Sequence, residues 1–332
     1  MLNQKPLNKI LFVDVETTSQ KPDFSSLSDH QKTIFKKRFK KEFESRYNQL
    51  SQVKLLEESS KKQVGKTAKQ VNVKKILEEV ELDVLEGLYN EKAPIFPEFG
   101  RILCISVGVL WQNSGEDFFN VKITSFFDED EKVLLSEFIG HEKLKIIFDE
   151  LPGKYEKNVE NFWGLCAHNG KTFDFPFIVK RLIINGFQIP AMFDYAGLKP
   201  WEQTHIIDTK EEWKFGVWDS STSLDSLCEV FNIPTSKSNM KGEEVKDAFW
   251  IYKSLSSIKD YCEEDVYALV QVYLKMKSIH SEVRLYKPLI EQPIAVNQNQ
   301  HVEKVDSADN SETKEEPQGQ EDGLETSENS EV

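Results

Sequence analysis

The chain has 332 residues, 39% of them hydrophobic, with a formal charge of −14 from 42 basic and 56 acidic side chains; that length suffices for one large or two small domains. No apolar run nears the roughly 20 residues that cross a bilayer. Residues 1–9 are polar and the short apolar run after them meets Glu16, so no signal-peptide layout is present. Cys104, Cys166, Cys228 and Cys262 are widely and irregularly spaced, which fits reduced thiols in a cytoplasmic protein better than a disulfide framework or a zinc site.

In chain order, residues 9–15 predict a strand. Residues 21–77 then hold 15 basic and six acidic side chains. Helical spacing of Phe35, Phe39, Phe43, Tyr47 and Leu50, and later of Val73, Leu77, Val80, Val84 and Leu88, predicts two amphipathic helices with a link around 59–66. Their lysines either solvate packed helices or attract phosphate. Residues 101–111 and 119–127 predict two more strands, 134–151 a helix, and 161–167 a short apolar run before a turn. A helix over 175–184 should stop at Asn185-Gly186, with short helices at 223–231 and 243–255 and a long one over 257–279. This order argues for a three-layer α/β domain with a mixed sheet. Residues 297–332 carry 11 acidic side chains against Lys304 and Lys314, and their composition is that of a disordered tail.

Three groups of carboxylates stand out. Asp14 and Glu16 are two apart in an apolar run, so both fall on one face of a strand. Two like charges there are costly without a cation, and Mg²⁺ or Mn²⁺ favours oxygen ligands; a strand ending early would leave both acids in solvent instead. Asp174 follows the Asn169-Gly170 turn and falls at a helix start, where an ordinary cap explains it equally well. Tyr261 and Asp265 are four apart and share one helix face, which Ala268, Leu269 and Val272 continue toward the core. Glu263 and Glu264 are expected in solvent, and His168 in a hydrogen-bonded turn.

Taken in order, Asp-x-Glu on a first strand, Asn-x-x-x-Phe-Asp after a later one and Tyr-x-x-x-Asp on a late helix resemble the three exonuclease motifs of the DEDD superfamily. Tyr261 marks its tyrosine (DEDDy) branch. Glu98-Phe99-Gly100-Arg101-Ile102-Leu103-Cys104, Cys166-Ala167-His168-Asn169-Gly170, Phe175-Pro176-Phe177 with Arg181, Asp208-Thr209 and Trp213-Lys214-Phe215-Gly216 are similar to stand-alone exonucleases related to the exonuclease domain of family-B DNA polymerases. The resemblance covers residues 8–20 and about 95–280.

It implies an RNase H-like (DnaQ-like) three-layer fold with a central mixed sheet, as an exonuclease domain over 1–288 interrupted by a basic helical insertion at about 21–90, and an acidic tail over 289–332. It implies two divalent ions, Mg²⁺ or Mn²⁺, held by Asp14, Glu16, Asp174 and Asp265, with Tyr261 orienting the attacking water. Thr17 and Thr18 would lie under the terminal nucleotide, with Asn169 and Phe173 also binding substrate. Trp201, Trp213 and Phe215 either stack on bases or pack in the core. The expected activity is 3′–5′ hydrolysis of single-stranded ends, DNA favoured over RNA, releasing nucleoside 5′-monophosphates. The resemblance implies single-stranded 3′ ends as partner and no membrane. Alternatives are a catalytically silent nucleic-acid-binding module, an RNase D-like RNA-processing enzyme, and an interaction protein that docks through the insertion.

Overall fold

The computed structural model describes residues 5–64, 72–149, 162–218, 221–234 and 240–286. The chain divides into two units, Met1–Lys287 and Pro288–Val332. The acidic stretch 297–332 lies outside the described residues.

Six strands, β1 (Ile10–Ser19), β2 (Gly100–Trp111), β3 (Phe119–Phe127), β4 (Gly164–Ala167), β5 (Ile206–Asp208) and β6 (Val283–Leu285), form one mixed sheet in the order β5-β4-β1-β2-β3-β6. The pairs β1–β2 and β2–β3 are antiparallel, whereas β1–β4, β4–β5 and β3–β6 are parallel. Helices α1 (Asp29–Arg38), α2 (Lys40–Val64) and α3 (Val73–Lys92) are inserted between β1 and β2. After β3 come α4 (Glu131–Gly140) and α5 (Glu142–Phe148), and after β4 comes α6 (Asp174–Ile184). Beyond β5 follow α7 (Thr209–Lys214), α8 (Leu224–Phe231), α9 (Val245–Trp250) and α10 (Leu255–Met276).

The layers follow from the period of two along β1. Leu11, Val13 and Val15 point to one face, where they share a core with Leu134 and Phe138 of α4 and Phe175, Ile178 and Leu182 of α6. Ile10 and Phe12 point to the other and pack on Val266, Leu269 and Tyr273 of α10. Each such side chain, fully buried, contributes about 1.5–3 kcal/mol. The same alternation that builds both cores therefore aims Asp14 and Glu16 at the α10 side.

Several elements depart from the sequence expectation. The first strand continues four residues past Val15 to Ser19, so Asp14 and Glu16 lie within it and not beyond its end. The helix expected over 134–151 is two helices, because His141 adopts extended backbone (ψ 121) between α4 and α5; residues 150–151 lie outside the described residues. Strands β5 and β6 span three residues each, too few for a periodic signal. The insertion holds three helices: Phe39 interrupts α1 and α2, and α2 runs on to Val64 through residues expected to be a link.

The insertion has its own core of Phe24, Phe35, Phe39, Tyr89 and Phe99. Ion pairs Lys36–Glu81, Arg46–Glu91 and Lys54–Asp83 tie α1 and α2 to α3. The four cysteines are buried thiols that form no disulfide, and among the described residues no helix is long and apolar enough to cross a membrane.

Candidate active site

Three elements converge on one end of the sheet. The pairing of β1 with β2 shifts register directly after Glu16, which faces Cys104 while Thr17 faces Ile102. Such bulges re-aim side chains and recur beside functional sites. On its other edge β1 pairs with β4 through Ile10, Leu11 and Phe12. Beyond Phe12 that edge is open to another acceptor, and the carboxylate of Asp174 takes the Val15 N–H.

Asp174 reaches that position through a tightly specified turn. Asn169 sits in the left-handed region at φ 75, a conformation that asparagine tolerates. At Gly170 a Cβ would lie 2.5 Å from the Ala167 Cβ and 2.8 Å from the Phe175 ring, so no side chain fits. Buried Asp208 accepts the N–H groups of Asn169 (3.0 Å) and Lys171 (3.1 Å) and also caps α7 through Lys210. His168 donates from Nε2 to the Thr222 carbonyl at 2.9 Å, and its Nδ1 meets Thr209 Oγ1 at 3.0 Å. It is the hydrogen-bonded turn residue expected, and burial holds its pKa below the usual value.

On α10, Tyr261 and Asp265 lie one turn apart, and the buried Tyr261 hydroxyl donates to the Asp265 carboxylate. The Cys262 thiol reaches Asp14 Oδ2 at 3.3 Å. Carboxylate oxygens of Asp14, Glu16 and Asp265 all lie within 4.8 Å of one another.

The electrostatics are those of like charges held together. Asp14 is pushed well above the usual carboxylate range by burial and then by Asp265 and Asp174. Glu16 is raised by burial and then by Asp14 and Asp265. Burial also lifts Asp174 to about 7, with Asp208 and Asp265 adding to it against the Val15 N–H. Tyr261 is raised as well, by burial and then by Asp265, Glu16 and Asp14, so its phenol stays neutral. For both Asp14 and Glu16 the strongest charged neighbours are acids. Such a cluster must hold protons or a cation, and its all-oxygen donor set suits a hard divalent ion such as Mg²⁺ or Mn²⁺.

Of the other residues singled out in the sequence, Thr17 and Thr18 turn inward. Thr17 Oγ1 donates to the Pro94 carbonyl at 2.8 Å, and Thr18 is fully buried. Phe173 is half-buried against Phe177, with ring centroids 5.5 Å apart. Trp213 packs edge-on against Phe231 in the core between α8 and α10, whereas Trp201 and Phe215 are exposed. Glu263 is not simply solvated: it accepts from Ser125 Oγ at 2.7 Å and pairs with Lys259. Sequence reasoning passed over Cys262 as a neighbour of Asp14, for which a cysteine beside Tyr261 gives no cue. It also passed over Trp218, which is 98% exposed.

A family profile described as a predicted 3′–5′ exonuclease related to the exonuclease domain of PolB matches residues 98–293, more than half of the chain. The chain belongs to this family. A search of curated proteins finds no match. The PolB-related exonuclease match includes Asp174, Tyr261 and Asp265 but begins after the helical insertion. Strand β1 lies outside it, and pairing with β2 and β4 brings Asp14 and Glu16 to the acids that the family segment carries.

Proposed function

We propose that this protein is a metal-dependent 3′–5′ exonuclease of the DEDDy type that shortens single-stranded nucleic acid from its 3′ end and releases nucleoside 5′-monophosphates. The observation that supports it best is the convergence of Asp14, Glu16 and Asp265, from two separate parts of the chain, within 4.8 Å of one another. Asp14, Glu16 and Asp265 would hold one divalent ion, Mg²⁺ or Mn²⁺, and Asp14 with Asp174 a second. When bound, such ions supply Lewis-acid polarisation of the scissile phosphate and of water.

The remaining work falls to the chain. Tyr261, neutral and anchored on Asp265, orients the attacking water by hydrogen bonding rather than acting as a base. Asn169 and Phe173 border the turn before Asp174 and would contact the terminal nucleotide. Because the Thr17 and Thr18 side chains face protein, that stretch would act through its backbone. Exposed Phe215, Trp218 and Trp201 offer faces on which bases can stack. DNA is favoured over RNA through the family's relation to PolB, with a role in DNA repair in the cytoplasm.

Incubating the protein with 5′-labelled DNA and RNA strands of one sequence, with Mg²⁺, Mn²⁺ or EDTA, tests this. A ladder shortening from the 3′ end, dependent on metal and lost in Asp14→Ala and Asp265→Ala, is expected. Binding without any shortening would overturn it in favour of a silent module.

A further inference from the structure

The insertion sorts its charges by face. Hydrogen bonds Phe39 N to Phe35 O and Phe43 N to Phe39 O join α1 to α2 across the break at Phe39, and each helix turns its own inner side to the core of the insertion. Phe35 and Phe39 mark that inner side for α1, and Phe43 and Leu50 mark it for α2. The bases next to that side, Lys36, Arg46 and Lys54, are matched by acids of α3. Ile34, Lys37, Arg38 and Lys41 share the opposite, outer face, and all four are exposed. Among the described residues Lys37, Arg38 and Lys41 make no ion pair. Across residues 21–97 the charge is +9 over 21–77 and −5 over 78–97, or +4 in all.

This outer face is tied to the acid cluster. The Arg38 guanidinium lies over the Phe96 ring, 5.2 Å from its centroid. Phe96 belongs to the turn whose Pro94 carbonyl receives the Thr17 hydroxyl, and Thr17 adjoins Glu16. A cation seated on an aromatic face is held while the rest of its donors remain outward.

We propose that Lys37, Arg38 and Lys41 form a phosphate-tracking ridge that receives the sugar–phosphate backbone of a single strand whose 3′ end lies at the acid cluster. The inference rests on the exonuclease reading above and names what the insertion adds to it. An acidic enzyme with net charge −14 repels its polyanionic substrate overall, and a local ridge offsets that repulsion where the strand enters.

The test is the salt dependence of binding. Affinity for a 5′-fluorescein oligo-deoxythymidine strand is measured across a range of KCl, with Ca²⁺ in place of Mg²⁺, and hydrolysis in Mg²⁺ is scored in parallel. Removing two phosphate contacts with K37A/K41A should reduce the slope of log K against log salt by about 1.4, at about 0.7 per contact on a single strand. The charge-matched K74A/K75A on α3 should keep the wild-type slope, and circular dichroism should show all three proteins folded. A wild type that shortens the strand while K37A/K41A keeps the full slope would overturn the ridge and leave the exonuclease reading standing. A wild type that neither binds nor shortens any strand would overturn both. Binding of the wild type to phosphatidylserine vesicles but not to the strand, lost in K37A/K41A, would reassign the ridge to a membrane surface and overturn the proposal.

Discussion

Two groups of charge in this protein, one buried and one half-buried, are built on opposite principles. Glu131 and Arg181 lie beside the start of β2, 6% and 5% exposed. Glu131 accepts from the Arg181 guanidinium, the Ile102 N–H at 2.7 Å and Asn185, while Arg181 also donates to the Pro97 carbonyl at 2.8 Å. Each charge there is answered inside the protein. At Asp14, Glu16 and Asp265 the dominant neighbours are further acids. Burial of charge therefore does not by itself identify a functional site; the sign of what surrounds it does. The first group closes the fold, and the second keeps a cost that a ligand can relieve.

The sharpest way to break this contrast is to remove one charge from each group. Asp265→Asn should lower exonuclease rate on the order of 10³-fold while leaving Tm unchanged or raised, since it relieves like-charge repulsion. A fall of several degrees in a thermal melt would show that the acid supports the fold after all. Arg181→Ala should do the reverse, costing about 3–5 kcal/mol in urea unfolding because it strands a buried carboxylate. The pair Arg181→Met with Glu131→Leu should recover most of that loss. If the double variant is no better than the single, the ion pair is not the reason for the loss.

A third buried group sharpens the comparison through pH. His205 is 2% exposed, donates to the Met192 carbonyl at 3.2 Å, and is held down to about 4 by burial. Its unfolded-state pKa is near 6.5, so between these values the unfolded chain binds the proton and the folded one does not. Stability falls as pH drops from about 6.5 to about 4, by roughly 3 kcal/mol from this residue. His205→Gln should flatten that part of the pH–stability curve relative to wild type, and an unchanged curve would remove His205 from the account. Tyr261→Phe is expected to have a smaller effect, lowering the rate about tenfold through loss of one hydrogen bond to a charged group, with KM little changed. The smallest effect should come from Thr17→Val, about 1 kcal/mol of stability from the lost bond to Pro94, measured by urea unfolding.

The parts of the molecule that could be read from the sequence are those whose signal is local. The alternation from Ile10 to Val15 placed Asp14 and Glu16 on one face, and helical spacing placed Tyr261 with Asp265; both relations hold in the structure. Asn169-Gly170 marked its turn, because a left-handed residue and a position without room for a Cβ leave a chemical trace. The split at His141 and the three-residue strands β5 and β6 were not legible. The two strands take their hydrogen-bond partners from distant segments, and so short a stretch has no period of its own.

The sequence alone determined which side chains share a face of each element, since backbone geometry dictates that at every residue. Only the tertiary structure decided that an acidic pair from residues 14–16 meets Asp265 across a long helical insertion. It also decided that Glu131 finds Arg181 while Asp14 finds further acids. Charge balance in a buried site depends on which strands pair and which helix crosses them, and no local pattern encodes that.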